Sequence, residues 1–187
     1  MTTPKLLNII TEPDARLHMV SQDVGEVNDE VRQLMDDMLH TMYNARGIGL
    51  AAVQVAVLKR VLVVDVDYLS GSGGGGEELH NGKALYMVNP VIIDKSAELY
   101  AYDEGCLSVP SVYQSVKRSK FITVRYINYD GEVVEYAPPP GILTVCIQHE
   151  IDHLNGVLFI DYLSRLKKSM ALKKLRKYSK MREINNV

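Results

Sequence analysis

Residues 145–154 must form a helix and a binding site at once. Val145, Ile147, Ile151 and Leu154 carry apolar side chains at helical spacing, and His149-Glu150-Ile151-Asp152-His153 lies in the same run. Positions i and i+4 share one helix face, so both imidazoles can reach one ion. Glu150, next to the first histidine, can then touch water held by that ion. Two neutral nitrogen donors, an open coordination position and a base beside it are what metal-assisted hydrolysis needs. Five residues alone also fit an ordinary charged surface helix, so the rest of the chain must discriminate.

The flanking pattern is α+β. Residues 27–46 place Val27, Val31, Leu34, Met35, Met38, Leu39 and Met42 on one helical face, with Gly47 as the stop. Strand-like runs follow at 61–66, 85–93, 98–102 and 121–129, and Asp130-Gly131 is a hairpin turn into 132–136. Pro138-Pro139-Pro140-Gly141 breaks the sheet before the histidine-bearing helix. Strands fill the middle and helices the ends. That argues against repeated βαβ units and for short antiparallel sheets around a central metal-binding helix, with a C-terminal helix after it. At 187 residues and 21.0 kDa the chain is expected to be one domain, 1–187. The glycine-rich stretch 70–76 contains GxGxxG, but no apolar-periodic helix follows it and another strand begins soon after. A hairpin loop is expected there rather than a dinucleotide site.

The third ligand decides the chemistry. Thermolysin-like zincins take a Glu from a downstream helix, but the segment about 20 residues after His153 is rich in Lys and Leu. Metzincins place a third His after a Gly; here Gly156 is followed by Phe159 at that position, which cannot bind an ion. His18, His40 and His80 stand alone in polar or amphipathic surroundings, where solvation or capping is the simpler role. Two cysteines make no disulfide framework. Cys146, inside the apolar run, reads as a small buried hydrophobe. Cys106, in Glu104-Gly105-Cys106-Leu107-Ser108, is the better thiolate candidate. A Cys/His/His set leaves the fourth tetrahedral position for water, the catalytic pattern.

A third motif, Gly47-Ile48-Gly49-Leu50-Ala51-Ala52-Val53-Gln54, frees backbone for a ligand to lie against and offers the Gln54 amide to a developing oxyanion. Together and in this order, 47–54, 104–108 and 148–153 resemble the three signature motifs of peptide deformylases, and the likeness extends over nearly the whole chain. The resemblance implies a hydrolase that removes the formyl group from the N-terminal Met of nascent chains. It implies Cys106, His149 and His153 as ligands and Glu150 as acid and base, with Gln54 and the backbone N–H of Leu107 as oxyanion donors. Ile48, Gly49, Glu104 and Gly105 would frame the peptide groove, and Tyr102, Val145 and Cys146 would line the pocket for the Met side chain. It also implies one divalent ion, Fe2+ in the cell, with Zn2+, Ni2+ or Co2+ possible in preparations.

The tail, 165–187, holds nine of the 21 basic residues against one acid, Glu183. One reading is a solvated helix packed through Leu163, Leu166 and Met170; the other is an RNA-facing helix. The resemblance implies docking at the ribosome near the exit tunnel, and a helix-ended rather than strand-ended member. No run approaches the ~18 apolar residues of a membrane span, and the first residues lack signal or transit character, so a bacterial cytoplasm is expected. Two other functions stay open: a metalloprotease, and a zinc-stabilised RNA-binding ribosome factor without catalysis.

Overall fold

The computed structural model describes residues 3–67 and 84–185; the glycine-rich stretch 70–76 and His80 lie outside them. The architecture is α+β, with antiparallel pairing in both sheets.

Helix α1, Asp29–Asn44, begins where the sequence says it can. Asn28 Oδ1 accepts the Val31 N–H at 3.0 Å, and Asp29 and Glu30 sit at the positive end of the helix dipole. Its stripe of Val31, Met35, Met38, Leu39 and Met42 is buried, as the spacing predicts. Its end differs in detail. Arg46, not Gly47, takes the left-handed conformation (φ 56°). Gly47 is needed for space instead: a Cβ there would stand 2.7 Å from Leu107 Cδ1.

Five strands form one sheet in the order β1-β2-β3-β6-β7: β1 Gly49–Ala51, β2 Val61–Val64, β3 Leu85–Lys95, β6 Ile122–Ile127 and β7 Val133–Tyr136. The β6–β7 connection is the expected turn, with Gly131 at φ 89°. Strand β2 is apolar throughout because both its faces are covered. Val61 and Val63 pack toward α1, while Leu62 and Val64 pack toward α2, Ile142–Leu154. Truncating a side chain such as Leu62 to Ala would cost ~2–5 kcal/mol.

Strands β4, Leu99–Cys106, and β5, Val109–Ser119, form a separate hairpin. Strand β5 is absent from the sequence reading. Its buried positions, Val109, Val112, Val116 and Arg118, lose their alternation where Ser111 adopts φ 65° beside Pro110. The hairpin's inner face joins Leu158, Phe159 and Ile160 and the helix α3, Arg165–Asn185, in a third core cluster. The packing edge of α3 is Ala171 and Leu175. Leu166 and Met170, expected to pack, are 72% and 62% exposed. Leu163, just before the helix, packs as expected, but within α3 the residues that reach the core are Ala171 and Leu175, with Leu172 partly buried beside them. Among the described residues no helix is long and apolar enough to cross a membrane.

Candidate metal centre and groove

Three elements meet at the site. Helix α2 begins after Gly141, whose φ of 136° turns the chain out of the proline run. It crosses the molecule with His149, Glu150 and His153 buried. Cys106 closes β4, directly before the two-residue connection Leu107-Ser108 into β5. The segment of β1 and the short 3-10 turn Ala52–Val55 brings Gly49 and Gln54 from the third side.

Donor atoms of Cys106, His149 and His153 all lie within 4.8 Å of one another, with Cys106 Sγ 3.2 Å from His153 Nε2. One thiolate and two imidazoles at such separations fit an ion with bonds of about 2.0–2.3 Å. His149 Nδ1 meets Glu104 Oε2 at 2.8 Å, which reserves its Nε2 for the centre. Burial alone would lower the pKa of His149, but its hydrogen bonds to Cys106 and Glu104 outweigh that and raise it. His153 is pushed the other way, by burial and by the neighbouring His149 and Arg118. The shift favours the neutral imidazole, the form that can donate to an ion.

Glu150 is 3% exposed and its Oε2 has no hydrogen-bond partner within the protein. Burial raises its carboxyl to about 7, with the charge of Glu104 adding to the effect and those of His149 and Arg118 opposing it. A proton acceptor near neutrality with a free oxygen beside the donor triad suits general acid–base work. Gly49 makes its position possible: a Cβ there would stand 2.6 Å from Cys146 Sγ and closer still to Glu150 Oε1. Cys146 is buried, its Sγ 3.6 Å from Ile48 O, and burial raises its pKa well above the ordinary thiol. It is a neutral packing group and stands outside the donor triad.

Gln54 is 1% exposed. Its Oε1 accepts the Ala51 N–H at 2.8 Å, and its Nε2 donates to Ser108 Oγ at 3.2 Å and toward Cys106 Sγ at 3.5 Å. Anchored by its oxygen, the amide aims its nitrogen at the centre. A cavity of about 830 Å³ opens there, lined among others by Ile48, Gly49, Tyr102, Gly105, Leu107, Val145 and Cys146. Glu104 also borders it, but both its carboxylate oxygens are engaged, by Arg118 and by His149. It lines the cavity and holds the His149 ring as well.

The sequence reading missed several groups at the site. Arg118 is buried against Glu104 and Asp152, Ser108 holds the Gln54 amide, and Tyr178 of α3 reaches the cavity wall. Asp152 was in view, since it occupies one of the two variable positions between the histidines.

An α+β frame that gathers a partly buried cysteine sulfur, two buried imidazoles and a free carboxylate oxygen beside a groove defines a metal-dependent hydrolase. Comparison with known proteins narrows the class. The polypeptide deformylase family model matches residues 6–169, and the chain belongs to that family. A peptide deformylase of Maricaulis maris is 52% identical over 175 residues, which cover 94% of this chain and 95% of its relative. The crystal structure of a peptide deformylase from Legionella pneumophila is 37% identical with a TM-score of 0.84, covering 95% of this chain and 98% of that one. The peptide deformylase of Ehrlichia chaffeensis in complex with actinonin is 41% identical with a TM-score of 0.81, covering 93% and 98%.

Proposed function

We propose that this chain removes the N-formyl group from the N-terminal Met of newly made polypeptides, with Cys106, His149 and His153 holding one divalent ion and Glu150 moving the proton. The observation that carries the reading is the buried Glu150 carboxylate, one oxygen unpartnered, adjoining the three donors. An ion bound there supplies Lewis acidity, polarising the formyl carbonyl and acidifying water. Glu150 takes the proton of the attacking water and returns it to the departing amine. Gln54 Nε2, exchanging its long contact to Cys106 Sγ, and the backbone N–H of Leu107 receive the charge that develops on the formyl oxygen. Loss of one such donor typically costs ~10²–10³-fold in rate.

Strand β1 is an edge of the five-stranded sheet and β4 an edge of the hairpin, and Gly49 and Gly105 stand on them. An extended chain between the two edges would be held through main-chain bonds, whatever its sequence beyond the first residue. The Met side chain takes a pocket lined by Tyr102, Val145, Cys146 and the motif glycines. Fe2+ is the working ion on this reading, with Zn2+, Ni2+ or Co2+ able to replace it. The basic α3 adds a ribosome-facing surface near the exit tunnel, and the setting is the bacterial cytoplasm, with 1–187 acting as one domain.

Glu150→Gln tests the assignment. The amide is nearly isosteric but cannot accept a proton, so formate release from formyl-Met-Ala should fall ~10²–10⁴-fold with ion content unchanged. Casein cleavage should be absent in both proteins. Retained deformylation at full ion content would remove Glu150 from its role, and casein cleavage would favour a protease.

A further inference from the structure

The side chains behind His149 form a chain of contacts that continues past Glu104. Arg118 Nε and Nη2 donate to the two Glu104 oxygens at 2.7 and 2.9 Å. Its Nη1 makes a short ion pair with Asp152 Oδ2. The guanidinium carbon lies 4.9 Å from the centre of the Tyr162 ring, and Tyr162 Oη donates to the same Asp152 oxygen at 2.9 Å. Arg118 is thus gripped by a carboxylate fork, by a second carboxylate and by an aromatic face. Its own exposure is only 4%, whereas Tyr162 keeps 53% of its surface in solvent. A tyrosine that exposed adds little to the core, so its hydroxyl and ring are informative for what they hold.

We propose that Tyr162 and Asp152 are positioning residues for the ion ligand His149, acting through Arg118 and Glu104. A guanidinium fork transmits orientation because its donors are fixed in one plane. If Arg118 turns, Glu104 turns with it, and Glu104 sets which nitrogen of His149 faces the ion. Tyr162 restrains Arg118 on the side Glu104 does not reach, and it fixes the Asp152 carboxylate in the same act. Tyr162 immediately precedes the link to α3, so the restraint is supplied from outside α2. The proposal rests on the ion-site reading given above.

The test uses the full chain and Co2+, whose visible absorption reports its ligands. Tyr162→Phe keeps the ring over Arg118 and removes only the hydroxyl. Groups directly behind a ligand typically change ion affinity ~10–100-fold when lost, and Tyr162 stands further out. Tyr162→Phe should therefore weaken Co2+ binding ~3–10-fold and shift its absorption, while the melting temperature of the ion-free protein stays within about 2 °C of wild type. Asp152→Asn should give a larger effect of the same kind, and Arg118→Lys should not restore the wild-type spectrum. Wild-type Co2+ affinity and absorption in Tyr162→Phe would overturn the proposal. A lowered melting temperature with unchanged Co2+ affinity would overturn it too, by reducing Tyr162 to a packing group. His149→Ala is the control for the underlying reading. If that variant keeps wild-type Co2+ affinity, the ion assignment fails and the proposal falls with it.

Discussion

Glycine 49 shows how little room the site leaves. Its missing side chain is where the Glu150 carboxylate and the Cys146 sulfur rest. Both belong to a helix packed through Ile147, Ile151 and Leu154, so neither can simply back away. Gly49→Ala should therefore misplace Glu150. Displacements of about 1 Å at a reacting group cost up to ~10²-fold, and we expect kcat/KM on formyl-Met-Ala to fall ~10–100-fold. Overpacking of this kind costs ~1–3 kcal/mol of stability, so the melting temperature should drop by several degrees while the three donors still bind an ion. Unchanged kinetics would mean that Glu150 has slack the structure does not show. Tyr86 offers a separate check on the fold. Burial, chiefly, and the charge of Asp36 raise it to about 12, so the folded state keeps its proton after the unfolded chain has lost it near 10. Stability should fall as pH rises from about 10 to 12, and Tyr86→Phe should flatten that fall in alkaline melting curves.

Among elements, α3 has two faces with different duties. Ala171 and Leu175 are buried beside Val109, Val112 and Phe159, in the cluster that Cys106 also borders. Removing the tail after Leu166 would therefore open a core as well as remove charge. We expect a lower melting temperature and reduced turnover from that truncation. Reversing exposed charges separates the duties. Lys173, Lys174 and Lys177 are all solvent-exposed. Replacing the three with Glu should leave formyl-Met-Ala kinetics near wild type and weaken ribosome co-sedimentation, most visibly at low salt. Sedimentation unchanged at two salt concentrations would reject ribosome docking through α3. The elements also differ in how plainly the sequence announces them. Helix α1 declares itself because one face meets a continuous core and the other does not, whereas α2, buried almost all round, is marked by its histidine spacing and the proline run before it. Strand β1 is three residues, one of them Gly49, too short for any period to register. Strand β5 hides because a left-handed residue shifts its alternation partway. At the centre, the donors are legible because a helix fixes the spacing of two of them. Arg118 is not, since its partners lie 14 and 34 residues away and only folding brings them together.

For the molecule as a whole, the ion sets the working conditions. Both histidines are buried, while Cys106, at the end of its hairpin, is the donor left partly accessible. A cysteine sulfur so placed is open to oxidation when no ion protects it. Enzyme loaded with Fe2+ and kept anaerobic should be more active on formyl-Met-Ala than the Zn2+ form, and should lose that advantage in air. Reconstitution with Fe2+, Ni2+ and Zn2+ in parallel checks this; a Zn2+ form at least as active as the anaerobic iron form contradicts it. The recessed edge of β1 carries a different consequence. Its three residues are buried, and only Gly49 of them borders the groove. On the proposed binding mode a loose chain end can pair with so short and buried an edge, whereas a strand already held inside a folded domain cannot. The window for the reaction is then a matter of timing: it opens when the first residues of a polypeptide are free and shuts once they are drawn into a structure of their own.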